Sequence, residues 1–354
     1  MNILYSQNYK INNKPQFRVL MQLPSHITDN HGRPINYLRL AVTDRCNLRC
    51  FYCMPEEGIR YLPKKHLLSY EEMERLITLL SKMGVNKVRI TGGEPFLRRD
   101  LINFMQTVSE IEGIQELNIT TNGVLTEKYI PQMIDMGVKA VNLSLDTLDK
   151  ERFKQITRRD EFDKVMKCLN ALIESGIRTK INMVVMAGQN TEDILPLAEL
   201  TQQAPVDVRY IEEMPFNGEG LRNAEFTWNH RQILATLSKK YPNIESLAAK
   251  PNATSINYQV PGHQGTLGII AAFTRNFCGS CNRIRITAQG TLKTCLYDNG
   301  VLDIKHLMRA GANDEELAKA LLSAFNQRAR DGYEAEKQRK NNLPVTESMS
   351  TIGG

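Results

Sequence analysis

Three thiols stand at CxxxCxxC spacing in the stretch Thr43-Asp44-Arg45-Cys46-Asn47-Leu48-Arg49-Cys50-Phe51-Tyr52-Cys53-Met54-Pro55. They follow an alternating apolar run that reads as a strand, so all three can converge on one side of a single loop. That is the geometry an iron–sulfur cube or another bound metal needs. Cubane clusters usually take four thiolates, so a three-thiol loop leaves one iron without a protein ligand and open to chemistry. The alternative is zinc with a histidine as fourth ligand; His66, 13 residues beyond Cys53, is the nearest downstream candidate and stands just before a helical pattern.

A second set comes late: Phe277-Cys278-Gly279-Ser280-Cys281, then 13 intervening residues, then Cys295. Spacing alone leaves this one ambiguous, because a Cys3His zinc site completed by His263 or His306 has the same pattern. Inside it runs Arg283-Ile284-Arg285-Ile286, an alternating strand pattern that puts two guanidiniums on one face. Such a pair suits a phosphate chain through forked, charge-assisted hydrogen bonds. Arg39, Arg89 and Lys180 also fall within predicted strands, where a positive charge is expensive to bury without an anion. Together they argue for an internal anionic ligand. Gly92-Gly93-Glu94-Pro95 ends another strand with two residues lacking a Cβ, which lets backbone approach a neighbour closely.

The elements that must position these groups are legible from Tyr37 onward, where short β-branched or alternating runs trade places with amphipathic ones. Strands are expected near 38–42, 87–91, 116–121, 140–145, 180–185 and 207–212. Helical patterns fall near Tyr70–Met83, Leu101–Ile111, Thr126–Met136, Phe162–Ser175 and Thr191–Gln202. Six βα units are too few for an eight-stranded barrel, so the expected fold is α/β: an incomplete (β/α)6 TIM-like barrel with a C-terminal β-containing extension closing the open side. Its site should lie at the C-terminal ends of the strands. The motifs sit there: the cysteine loop after the first strand, Gly92–Pro95 after the second, Thr121–Gly123 after the third, Asp146 after the fourth and Met214 after the sixth.

Past Met214 the pattern changes to a loop at 217–220, a helix at Trp228–Lys240, short strands over 250–300 and a helix at Asp314–Ala324. The charged stretch Arg328–Lys340 is expected to be a solvated surface segment. The implied division is an extension of unknown role over 1–28, the partial barrel over 29–215, and a C-terminal region over 216–354.

Composition sets the bounds. A chain of 354 residues with 42% hydrophobic residues, 45 Lys and Arg against 39 Asp and Glu, and net charge +6 describes an ordinary core under a mildly basic surface. Six of the seven cysteines fall into the two tight groups, unlike a secreted disulfide framework, and Cys168 reads as a core residue. No run approaches the ~18 apolar residues of a membrane span, and the first residues lack the apolar middle of a signal peptide, so a cytoplasmic location is expected. Residues 1–28 contain no acidic residue, as organellar transit peptides do, but arginine and serine are sparse there.

The cysteine loop, with an aromatic just before its third thiol, resembles the radical S-adenosylmethionine (SAM) superfamily. Within it, the chain resembles the GTP 3′,8-cyclase family of molybdenum-cofactor biosynthesis. The likeness is carried by Asp29-Asn30-His31-Gly32-Arg33, Tyr37-Leu38-Arg39, the cysteine loop, Thr91-Gly92-Gly93-Glu94-Pro95, Thr120-Thr121-Asn122-Gly123, Asn142-Leu143-Ser144-Leu145-Asp146, the second cysteine set and Gly353-Gly354. It covers nearly the whole chain after the first 28 residues. One departure is Arg158-Arg159 before Asp160, where the family leads one to expect Gly-Arg.

The resemblance implies two [4Fe–4S] clusters, one on Cys46, Cys50 and Cys53, the other on Cys278, Cys281 and Cys295 with its open iron on the guanine base. It implies SAM contacts at Tyr52, Gly93, Ser144 and Met214, and GTP contacts at Arg39, Arg89, Thr120, Lys180, Arg283 and Arg285. The terminal Gly353 and Gly354 would reach into the active site. The implied reaction converts GTP to (8S)-3′,8-cyclo-7,8-dihydroguanosine 5′-triphosphate, a 5′-deoxyadenosyl radical taking the C3′ hydrogen. No side chain then serves as nucleophile. An electron donor and a downstream pterin synthase are the implied partners, with neither membrane nor nucleic acid, and the chain a monomer or homodimer.

Two rivals share some of these features. A radical SAM peptide-modifying enzyme with an auxiliary cluster would carry more than three downstream cysteines and would give the Arg-x-Arg spacing no purpose. A metal-bearing nucleic-acid-binding or redox-sensing module would interleave basic and aromatic residues, and the aromatic content of 7% shows no such pattern.

Overall fold

The computed structural model describes residues 24–214, 228–275, 277–339 and 348–352. Its strands begin with β1 (Tyr37–Ala41), β2 (Lys87–Thr91), β3 (Glu116–Thr121), β4 (Ala140–Ser144), β5 (Arg178–Val185) and β6 (Asp207–Glu212). These six lie side by side, all parallel. Parallel neighbours need a crossover, and helices supply it: α1 (Tyr70–Lys82), α2 (Leu101–Glu110), α3 (Ile130–Asp135), α4 (Lys150–Thr157), α5 (Phe162–Glu174) and α6 (Ile194–Gln203).

The later chain adds α7 (His230–Lys240), β7 (Glu245–Ser246), β8 (Ile256–Gln259), β9 (Thr266–Ile270), β10 (Arg283–Ile286), β11 (Thr291–Lys293) and β12 (Leu302–Asp303). Helices α8 (Ile304–Arg309), α9 (Asp314–Phe325), α10 (Gly332–Lys337) and α11 (Met349–Ile352) follow. β9 joins the sheet parallel to β6, and β10 joins it parallel to β1, so the later chain extends both edges of the six-stranded set. The full order is β12-β11-β10-β1-β2-β3-β4-β5-β6-β9-β8-β7, a mixed α/β sheet that fits an incomplete TIM-like barrel.

Alternation along each strand divides its residues between two faces. One face carries Leu38 and Leu40, Val88 and Ile90, Leu117 and Ile119, Val141 and Leu143, Ile181 and Met183, and Val208 and Tyr210, all buried. This face packs under the apolar stripes of the helices, for example Leu76, Ile77, Leu79 and Leu80 of α1 and Leu317, Leu321 and Phe325 of α9. Each such side chain contributes about 1.5–3 kcal/mol by leaving water. The other face is polar, with Arg39, Arg89, Asn118, Asn142, Lys180 and Arg209 turned to a cavity.

Local signals set the helix boundaries. Ser69 and Glu72 form a reciprocal capping box at the start of α1; Asn229 with Gln232 and Asn313 with Glu316 repeat it at α7 and α9. Helix α4 escapes the sequence reading because only Phe153 and Ile156 supply a buried apolar pattern, and Asp149 caps it by accepting from Arg152 N. Residues Arg328–Lys340 correct another expectation. As far as Arg339 they are not a solvated segment: α10 forms there, Arg328, Ala329 and Arg339 are buried, Arg328 donates to the Cys281 carbonyl and Arg339 Nε donates to Asn299 Oδ1. Among the described residues no helix is long and apolar enough to cross a membrane. The loop expected at 217–220 lies outside the described residues.

Candidate active site

The first thiol trio occupies the loop after β1, which backbone hydrogen bonds fix from two sides. Gly93 N and Glu94 N donate to the carbonyls of Thr43 (2.9 Å) and Arg45 (2.8 Å), while Arg49 N and Phe51 N donate to Thr157 and Ile156 at the end of α4. A Cβ at Gly93 would collide with the Arg45 carbonyl, and Gly92 has a φ of 141° with the Thr43 backbone beside it. The two glycines are thus needed for the cysteine loop to lie against the end of β2. Asn122 Nδ2 reaches Cys46 Sγ at 3.7 Å and Asn47 Oδ1 at 2.7 Å.

Burial raises all three thiols, Cys46 to about 12 and Cys53 to about 11, and Cys46 and Cys50 are raised further by the charge of other members of the trio. Thiols this reluctant to ionise become thiolates only beside a compensating positive charge, the situation of a metal ligand. The donor set therefore fits an iron–sulfur cluster. Of the histidines that zinc would use, His66 has its N–H on the Pro63 carbonyl and its own carbonyl on Lys305, His263 Nδ1 meets Thr201 Oγ1 at 2.8 Å, and neither His263 nor His306 lines the cavity that Cys278, Cys281 and Cys295 share. Among the described residues no three His, Cys, Asp or Glu side chains form a group able to hold a single metal ion.

Of the residues expected to contact SAM, Tyr52 belongs to this loop and Gly93 is hydrogen-bonded to it through Thr43. Tyr52 donates to Asp146 Oδ2 (2.8 Å), whose Oδ1 accepts from Val184 N (2.8 Å); Ser144 ends β4, and Met214 follows β6 and lines the cavity. Glu94 is completely buried, accepting from Thr121 Oγ1, Asn122 N and Phe96 N, and burial raises it to about 7. Glu94 braces the loop after β3, and the Asp146 carboxylate ties the cysteine loop after β1 to β5. Both stand inside motifs quoted above, Asp146 as the residue after the fourth strand, but neither was given a partner because a carboxylate in a turn carries no sign of what it will hold.

The second trio opens on the cavity, of about 820 Å3, that runs along the polar face of the sheet. Cys278 begins a short turn, Cys281 precedes β10 and Cys295 follows β11, its N–H donating to Asp298 Oδ2 at 2.8 Å. Burial raises Cys295 to about 12, whereas at Cys281 burial is outweighed by the charges of Arg283 and Arg328 and the thiol falls to about 6. Arg283 Nε lies 3.4 Å from its sulfur.

Strand register sets cations side by side. Arg39 on β1 pairs with Arg285 on β10 and with Arg89 on β2, a row of three guanidiniums across three adjacent strands. Like charges directly opposite repel, so this row fits an anion on the cavity side. Burial and neighbouring cations depress Lys180 to about 6, and Arg285 and Arg209 to about 10. Arg209 Nε and Arg283 Nη2 are buried with no hydrogen-bond partner among the described residues. Thr120, on β3, is not among the lining residues, although its buried Oγ1 also lacks a partner there.

Two lining residues escaped the sequence reading. Arg209 sits in a strand as Arg39 does, so the rule about buried cations would have found it. Tyr37 accepts from Arg89 Nε at 2.6 Å; burial opposes its ionisation, but Arg89 and Arg39 outweigh that and bring it down to about 7. The cysteines of the first trio do not line this cavity. The segment Ser348–Ile352 lies between the two trios, touching Cys53 at one end and packing beside Cys295 at the other. Gly353 and Gly354 lie outside the described residues.

Comparison with known proteins agrees with this geometry. The family described as the Radical SAM superfamily matches residues 40–201, and Molybdenum Cofactor Synthesis C matches residues 206–334. The chain is 36% identical over 329 residues to the GTP 3′,8-cyclase of Chlorobaculum tepidum, covering 93% of this chain and 97% of that one. It is 41% identical over 305 residues to molybdenum cofactor biosynthesis protein 1 of Bos taurus, covering 86% of this chain and 48% of the relative, so it spans about half that protein's length. The crystal structure of Streptococcus suis SuiB bound to S-adenosylmethionine superposes with a TM-score of 0.59 at 17% identity, over 84% of this chain and 67% of that one, which shows a shared fold. With the match to the bacterial cyclase extending over nearly all of both chains, this protein belongs to the radical SAM superfamily and, within it, to the family of the GTP 3′,8-cyclases.

Proposed function

We propose that this protein binds GTP in the cation-lined cavity and converts it to 3′,8-cyclo-7,8-dihydroguanosine 5′-triphosphate, an early step toward the molybdenum cofactor. The observation that carries the reading is the row Arg285, Arg39, Arg89 on adjacent strands, in the same cavity as a cysteine trio. When bound, a four-iron cluster with SAM supplies a hydrogen-abstracting radical, and a second four-iron cluster supplies a Lewis-acidic iron for the base.

The chain's own residues hold and orient. Cys46, Cys50 and Cys53 would hold the first cluster, with Tyr52, Gly93, Ser144 and Met214 around SAM; Cys278, Cys281 and Cys295 would hold the second. Arg39, Arg89, Lys180, Arg283 and Arg285, joined by Arg209 and with Thr120 further along β3, would grip the triphosphate and ribose. Anchoring both ends of the nucleotide keeps C3′ at the radical and water away. In this reading residues 29–215 form a (β/α)6 partial barrel, 216–354 close its open side and bring Gly353 and Gly354 to the site, and 1–28 precede it. An electron donor and a downstream pterin synthase are the partners that the reading requires.

The test is anaerobic cluster reconstitution followed by incubation with SAM, GTP and dithionite. About eight irons per chain are expected, with 5′-deoxyadenosine and the cyclic nucleotide formed only when GTP is present. Zinc in place of iron, or SAM cleavage indifferent to GTP, would overturn the reading.

A further inference from the structure

Ser348, Ser350 and Ile352 are 3%, 2% and 1% exposed. The Ser348 hydroxyl donates to the Cys53 carbonyl at 2.8 Å and its oxygen lies 3.9 Å from Cys53 Sγ. It also meets Ser350 Oγ at 2.8 Å and accepts from Ser350 N at 3.2 Å. The backbone of Ser350 and of Met349 favours the ionised form of Cys53 against its burial. Four residues on, Ile352 is buried with Tyr297, Ala329 and Ala335 in a small apolar cluster against which Met214, Met349 and Cys295 pack.

The segment therefore has a polar grip on the third thiol of one trio and an apolar grip beside the third thiol of the other. Seating the segment alone would need only the apolar grip. Hydrogen-bond donors aimed at a ligating sulfur stabilise the extra electron of a reduced cluster and raise its potential.

We propose that Ser348–Ile352 is a strap between the two thiol trios, and that Ser348 is a positioning residue that sets the reducibility of the group held by Cys46, Cys50 and Cys53. This rests on the reading that the trio holds a four-iron cluster. Seating of Ile352 beside Cys295 carries the second trio's surroundings to the first through four residues of chain.

The experiment is a potentiometric titration, followed by electron paramagnetic resonance, of the reconstituted full chain, reading the signal that changes when SAM is added. At the wild-type midpoint, Ser348→Ala is expected to show a reduced-to-oxidised ratio lower by about tenfold, which for a one-electron couple is about 59 mV. Ser348→Thr, which keeps the hydroxyl, should return the wild-type midpoint. Ile352→Ala should shift it in the same direction as Ser348→Ala, and gives an independent reading if Ser348→Ala fails to assemble the cluster. A wild-type midpoint in both alanine variants, with iron retained, overturns the proposal alone. Absence of iron from the first trio in the unsubstituted chain overturns it together with the reading beneath it.

Discussion

Arg328 Nη2 lies 3.1 Å from the sulfur of Cys281, and the same guanidinium meets Asp29 Oδ2 through Nη1 at 3.2 Å. Both side chains of this ion pair are almost fully buried, at 2% and 0% exposure. Arg33 joins them, donating to Asp29 and to the carbonyls of Cys278, Ala329 and Arg330. The chain near residue 30 thus clamps the second cysteine set to the start of α10. Removing one member of a buried pair strands the other, at a cost of about 3 kcal/mol. Arg328→Met is expected to lower the melting temperature and to cost the reconstituted chain about four of its irons, while the SAM-responsive signal stays; iron analysis and resonance spectra check it.

The cavity wall makes a second expectation. Replacing Arg283 or Arg285 by Ala removes a charge-assisted contact of about 1.5–3 kcal/mol, so GTP should bind about 10- to 100-fold more weakly. Calorimetry measures the affinity, and SAM binding at the first trio should be unaffected. Unchanged GTP affinity in both variants would remove them from the site.

Lys180 predicts a proton signature. Burial first, then Arg209, Arg178 and Arg89, depress it from 10.5 to about 6. Between these values the unfolded chain holds the proton that the folded one lacks, so the ligand-free protein gains stability as pH rises through this window and loses it as pH falls toward 6. A polyphosphate would restore the charge, so its binding should take up protons above pH 6 and cease to do so below. Binding enthalpies measured in buffers of different ionisation heat read this directly, and Lys180→Met should abolish the uptake.

Arg158 offers a test of stability alone. It caps α4 with a φ of 55°, a left-handed conformation that costs a residue with a Cβ about 1 kcal/mol or more relative to glycine. This is the position where the family's pattern leads one to expect glycine. Arg158→Gly should therefore stabilise the chain by about 1 kcal/mol, less the weak 3.4 Å contact to the Met54 carbonyl, and raise the thermal midpoint.

The six parallel strands were legible because burial on one face writes a period of two into each run, and the helices between them because their stripes repeat at 3.6. The polar face was legible in part: Arg39, Arg89 and Lys180 stand out as charges within strands. What local pattern does not carry is adjacency. That Arg285 lies beside Arg39 follows from β10 entering the sheet next to β1, a pairing across more than 200 residues of chain. The same holds for Arg328, whose charge reads as surface until Asp29, 299 positions away, is seen against it.

β1 and β5 would be the outermost strands of a fragment that stops short of β6, and in the whole chain each is covered there by a strand from the later part, β10 on one side and β6 on the other. The seam between the two family matches, at residues 201–206, is accordingly no place to cut. A fragment ending there would present bare rows of amides and carbonyls on its flanks, ready to recruit other chains into aggregates. Because both matched segments contribute strands to one continuous sheet, neither is expected to stand alone as a separable module.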